Sequence, residues 1–246
     1  KHLGEKWSFA SNMIPKFIRT IIVKTLIENK NTYYGEISRR IRRFLINTYK
    51  DGALRQAGYL EQINADSIKQ LFGVNIEHTK RLLDKHRKSF TDPINAMLAA
   101  DLGFSLAGDM LVKADRMSMA NSLEVRSPFL DKDLVEYTFS LPGKLKIGNF
   151  TGKKLLKESF KKRLPSWSIN LSKKGFEIPI ADWLRNDLKN MLENSSSKKT
   201  LEKMGIIDHA LVNDWKEGLY SGKRDTSWQL WTLISYKQCL ESKGKF

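Results

Sequence analysis

The chain has 246 residues, 41% of them apolar and 28% charged, a soluble globular balance with room for one large domain or two small ones. No apolar run approaches the ~18 residues of a membrane span. The one cysteine, Cys239, excludes an internal disulfide, and no Cys/His cluster has metal-site spacing. No secretory signal opens the chain, so a reducing cytoplasm is the expected compartment. The net charge of +16 favours anionic partners, but its basic residues are dispersed. Its densest runs, Arg39 to Arg43 and Lys80 to Lys88, read first as solvated helix faces.

In chain order the dominant period is helical. Ile14, Phe17, Ile18, Ile21 and Ile22 predict a first helix, with Pro15 in its first turn. Ile37, Ile41, Phe44 and Leu45 predict a second, with the arginines on its opposite face. Further helices are expected over Ser67 to Phe72 and Glu77 to Leu83, and from Asp92-Pro93 onward through Met97 and Leu102. Gly103 to Gly108 reads as a turn, after which Asp109 caps a helix running to Met119. Asp131 caps another that stops before Pro142. Lys154 to Lys162 is helical, and Pro179 opens a helix carrying Trp183, Leu184 and Leu188. The polar run Asn194 to Lys199 reads as a loop. A last helix places Trp228, Trp231 and Ile234 or Ser235 on one face. Alternating strand patterns are nearly absent, so the expected fold is mainly α and residues 1–246 form a single region with no linker.

Two segments carry chemical information. From Asp109 to Asp131 the charges Lys113, Asp115, Arg116, Glu124, Arg126 and Asp131 stand among Met, Leu, Val and Phe. Charges in greasy surroundings must pair or line a polar cleft. Adjacent Asp115 and Arg116 point to different sides of a helix. Glu124 and Arg126 share a face if their stretch is extended, which Pro128 favours at Ser127. A buried ion-pair network fixing a turn and the polar wall of a cleft are the two readings. The second segment, Leu171 to Ile180, holds Lys173-Lys174-Gly175. A loop lysine beside glycine suits a phosphate or the charge developing in nucleotidyl transfer; a solvated turn is the bland alternative.

Together these segments resemble the synthetase domain of the asparagine synthetases. That family carries Lys-x-Asp-Arg-x-Ser-Met-Ala, then Ser-Leu-Glu-x-Arg-x-Pro-Phe-Leu-Asp, then Leu-Pro and a Lys-Lys-Gly-Phe loop. Here they stand at Lys113 to Ala120, Ser122 to Asp131, Leu164-Pro165 and Lys173 to Phe176. The likeness is strong over 91–240 and only compatible over 1–90. It implies the helical C-terminal part of an α/β synthetase domain of the ATP pyrophosphatase type. It also implies ATP with Mg²⁺, and an aspartate β-carboxylate that attacks the α-phosphate to give β-aspartyl-AMP. Ammonia released from glutamine by a separate N-terminal domain then displaces AMP. The resemblance makes Lys173 the lysine that steadies charge on the transferring group and sets Lys174, Gly175, Glu124 and Arg126 beside the nucleotide. Asp115 and Arg116 become supporting residues, Lys113 stays open, and Met117, Met119 and the tryptophans are expected in the core.

The departures matter as well. No Ser-Gly-Gly-x-Asp-Ser loop is present to hold pyrophosphate, nor an N-terminal catalytic cysteine. The chain is therefore expected to be part of a longer protein and inactive by itself, with exposed apolar surface where the rest would sit. A split enzyme completed by a second polypeptide is the other possibility, and a homodimer is compatible. Siblings that close β-lactam rings, cyclise peptides or amidate other carboxylates share the pattern. A basic helical nucleic-acid module is the reading from a different class; no known binding motif supports it.

Overall fold

The computed structural model describes residues 15, 21–22, 41, 44–47, 51–74, 77–148, 152–171 and 178–244. Every regular element among them is helical, which matches the mainly α expectation. The first two predicted helices lie mostly outside the described residues, as does the Lys173-Lys174-Gly175 loop. No helix among the described residues is long and apolar enough to cross a membrane. The elements are α1 (Gly52–Leu60), α2 (Ala65–Phe72), α3 (Glu77–Arg87), α4 (Pro93–Ala100), a π-helix (Asp101–Met110) and α5 (Leu111–Met119). After a 3₁₀ turn (Pro128–Leu130) come α6 (Lys132–Ser140), α7 (Gly143–Lys146), α8 (Lys154–Phe160) and α9 (Ser166–Asn170). The rest are α10 (Ile180–Arg185), α11 (Lys189–Ser195), α12 (Lys198–Lys203), α13 (His209–Ser221) and α14 (Ser227–Ser242). Their residues form two compact units.

The first unit, drawn mainly from 78–171 with the start of α1, is organised by polar side chains that close on backbone. Asp92 caps α4 by accepting from the Ile94 and Asn95 amides at 2.9 and 3.0 Å, and Pro93 begins the helix with a preset φ. Its other oxygen accepts from Gly143 N at 2.9 Å, which ties α7 to the same cap. Buried Asn95 donates to the carbonyl of Leu141 at 3.0 Å and accepts from Lys146 Nζ at 2.7 Å. Lys146 is 6% exposed and lies over the Phe139 ring, so burial is the main force pulling its pKa down, against the Asp92 charge. Gln56, 2% exposed, donates to Met97 O and Asp101 Oδ1 and accepts from Arg87, which satisfies it fully. Ile94, Met97 and Ile147 form the apolar seat beneath α4.

The second unit buries a larger apolar core of Leu71, Ile180, Leu184, Leu192, Leu201, Val212, Trp215, Leu219, Leu230 and Ile234 with their neighbours. Asn64 caps α2, Ser197 caps α12 and Asp208 caps α13. Gly73 and Gly222 end α2 and α13 in left-handed conformations that side chains avoid. Leu230 is fully buried. Leu230→Ala is expected to lower stability by about 2–5 kcal/mol through lost transfer energy and a residual cavity, read from the urea midpoint.

Several expectations need correction. Gly103 to Gly108 is not a turn, and Asp109 caps nothing. Helical backbone runs unbroken from Pro93 to Met119, with i→i+5 bonding through the middle. Gly103 suits glycine because the His86 ring occupies the space a Cβ would take. The run Asn194 to Lys199 is no open loop: Ser195 and Ser196 are buried, and Ser196 Oγ donates back to Leu192 O at 2.8 Å. Leu188 falls outside α10, and α14 packs through Leu230, Leu233 and Ile234, while Trp228 and Ser235 face outward. α8 ends at Phe160 and the chain continues as a turn.

Candidate functional site

The informative segment folds as helix, reversal and extended arm. α5 closes where Ser122 takes φ 56°, which lets the Leu123 amide reach back to Ser118 O at 2.9 Å. Asn121 secures the same turn by donating to Met117 O at 2.9 Å. Residues 123–127 then run without helix, and Ser127 is extended as the following proline requires. Asp131 caps α6 by accepting from Leu134 N at 3.1 Å, as its sequence position predicts.

Between α5 and the returning arm lies a cleft of about 560 Å³. Asp115, Arg126, Ser127 and Asp131 supply its polar wall, with Leu111, Val125 and Leu130 beside them. Glu124 and Arg126 form an ion pair, as the two-residue spacing suggests. Their side chains are 67% and 87% exposed, so in water the pair is worth at most about 1 kcal/mol. Arg126 can therefore exchange Glu124 for an incoming anion at small cost, and its planar fork suits a carboxylate or phosphate.

The charges are not buried, which overturns the ion-pair-network reading. Asp115 reaches the cleft, whereas Arg116 is exposed with no ion pair among the described residues. Lys113 Nζ stands 4.0 Å from Met110 Sδ. Met117 and Met119, expected in the core, are 62% and 55% exposed. Leu123, Val125 and Phe129 are exposed to a similar degree, so the segment presents an apolar belt around its charged cleft. Ser127 on the cleft wall was missed, whereas Asp131 was among the charges expected to pair or line a cleft but received no role in binding. The signal for Ser127 was its place directly after Glu-x-Arg and before Pro128, in the same extended stretch.

The cleft suits an anionic group through Arg126. Among the described residues, no group of three or more His, Cys, Asp or Glu could hold a metal. A broader hollow of about 660 Å³ in the other unit, lined by Asp66, Lys69, Gln70, Ile207 and Asp208, belongs to none of these motifs.

Every regular element among the described residues is thus helical, and one contiguous motif builds the cleft. The chain belongs to the asparagine synthase family, whose profile matches residues 10–241. It is 36% identical over 148 residues to asparagine synthetase [glutamine-hydrolyzing] 1 of Bacillus subtilis, covering 60% of this chain and 23% of that protein. It is 29% identical over 107 residues to asparagine synthetase [glutamine-hydrolyzing] 3 of the same organism, covering 39% and 17%. Amidase chyE of Penicillium rubens is 31% identical over 100 residues, covering 38% and 15%. The chain thus spans less than a quarter of the length of these relatives. No solved structure matches it.

Proposed function

We propose that this chain supplies one wall of the amide-forming site of an ATP-dependent asparagine synthetase. In that reaction an aspartate β-carboxylate oxygen bonds to the α-phosphorus of ATP and pyrophosphate leaves. Ammonia drawn from glutamine then bonds to the activated carbonyl, loses a proton, and AMP leaves. The observation that carries this reading is the cleft itself, which gathers Asp115, Arg126, Ser127 and Asp131 from one contiguous family motif. Lys173 steadies charge on the transferring phosphorus, and Lys174 and Gly175 contact the phosphates. Arg126 orients a substrate carboxylate or phosphate in exchange for its ion pair with Glu124. Mg²⁺ would travel with ATP and neutralise its phosphates.

The apolar belt supports a further element of the reading: an ATP-binding part and a glutaminase part, outside this chain, complete the site. The chain alone is then expected to release no pyrophosphate from ATP. A sibling that amidates a different carboxylate is a second reading, favoured by the likeness to Amidase chyE. The test supplies the full-length protein with ATP, Mg²⁺, aspartate and ammonia and follows pyrophosphate and asparagine together. Equal amounts of both are expected. Neither product with aspartate, but pyrophosphate once a different carboxylate is offered, would favour the sibling; no pyrophosphate with any carboxylate would sink both readings.

A further inference from the structure

We infer that α8 and the turn into α9 form a docking surface for the backbone of a single-stranded nucleic acid, separate from the cleft. Lys153, Lys154, Lys157, Lys161, Lys162 and Arg163 follow one another within this short stretch, and Glu158 is the only carboxylate among them. None of the six is ion-paired among the described residues, and all but Lys157 are exposed. Helix stability does not account for the arrangement. Cations at 161–163 suit the negative end of α8, but Lys153 and Lys154 stand at its positive end, where the dipole disfavours them. Lys153 even holds a left-handed backbone, φ 57°, without a side-chain cap. Lys154, Lys157 and Lys161 lie three and four residues apart and share one face, with Glu158 the single carboxylate near them, so cations outnumber it three to one there. Phosphates would balance them.

Just beyond this run Trp167 is 69% exposed. An open indole that follows a run of cations in the chain offers the pairing by which single strands are held: phosphates on lysine and arginine, an unstacked base on the ring. A duplex offers no free base face. An acidic membrane is less suited, because interfacial binding asks for a long amphipathic helix, whereas Pro165 breaks this segment into a turn and a five-residue helix.

The experiment titrates the 246-residue protein into a fluorescein-labelled oligouridylate of about 20 nucleotides and reads anisotropy between about 50 and 200 mM salt. Binding that weakens with salt is expected. The triple variant K161Q/K162Q/R163Q should reduce the slope of log affinity against log salt by about 2, since each phosphate contact on a single strand contributes about 0.7. A charge-matched variant on the other unit, K198Q/K199Q/K223Q, should leave the slope unchanged. Trp167→Ala should weaken binding about tenfold with the slope intact. Circular dichroism melts confirm that each variant folds. Equal losses in both triple variants would mean diffuse net charge and overturn the proposal. So would an unchanged affinity in Trp167→Ala, or binding to phosphatidylserine vesicles with none to the oligonucleotide.

Discussion

Lys173→Ala in the full-length protein is expected to reduce asparagine formation by about two to three orders of magnitude, chiefly in kcat. The proposed lysine meets negative charge that grows on the α-phosphoryl group as the carboxylate oxygen arrives. A charge placed where the transition state is more negative than the ground state acts on the rate more than on binding, and removing one such donor typically costs 10²–10³. Lys174→Ala is expected to behave differently. As a contact to phosphates already charged in free ATP, its loss should raise the KM for ATP with kcat largely kept. Lys173→Arg keeps the charge but replaces a compact ammonium on a flexible stem with a wide planar fork, so partial recovery at most is expected. Initial rates of pyrophosphate release, with each substrate varied in turn, separate these outcomes. A Lys173→Ala enzyme within threefold of the parent would remove this residue from the chemistry.

Gly143→Ala is expected to destabilise the first unit by about 2–4 kcal/mol. An alanine Cβ there would lie 2.5 Å from Asp92 Oδ1 and 2.5 Å from Ile94 Cβ. Neither atom is the free end of a flexible chain: one belongs to a working helix cap and the other sits beside the backbone of α4. Relief requires losing the cap, at roughly 1 kcal/mol or more, and moving α7 off a packed surface, at roughly 1–3 kcal/mol. The same cap gives acid sensitivity a sign. Burial opposes the Asp92 charge, but the Asn95, Gly143 and Ile94 amides, with Lys146 behind them, outweigh it and hold the carboxyl below its ordinary value of 3.8. A carboxyl depressed on folding contributes stability above its unfolded pKa and loses it as pH falls through the folded one. Asp92→Asn should therefore flatten the loss of stability between neutral and acid pH. Urea midpoints across that range measure both variants, and an Asp92→Asn protein with an unchanged acid slope would refute the account.

The sequence made the capped helices legible and left the long rod hidden. Asp92 and Asp131 announce their helices because a short carboxylate can only serve the first turn from a fixed place. Gly103 and Gly108 suggest a break for an equally local reason, yet the chain stays helical. Gln56, reaching Met97 O and Asp101, and His86, pressed on Gly103, are distant in sequence and override propensity there. The serines of 194–199 mislead in the same way, since their hydroxyls can turn inward onto helix carbonyls. Half the cleft was readable. Glu124 and Arg126 meet because an extended stretch before proline has a side-chain period of two. Asp115 was not placed, because the face it occupies depends on the i→i+5 register upstream, and no residue pattern encodes that. Of the two readings of the charges, the buried network failed: Met117 and Met119 beside them were expected in the core, and here they are open to solvent along with the charges.

The unbroken helix from Pro93 to Met119 has a mechanical consequence. Its buried contacts are concentrated near Ile94, Met97 and Ala100, while the far end is exposed. Ile94 and Met119 are separated by roughly 35 Å of stiff helix at about 1.5 Å per residue. Such a lever magnifies any looseness at its pivot. A rocking of three degrees about the seat would swing the tip by roughly 2 Å, and an error of about 1 Å in positioning can already cost 10²-fold in rate. In the proposed site, positioning at the cleft would then depend on how tightly a few apolar side chains grip the opposite end of the helix.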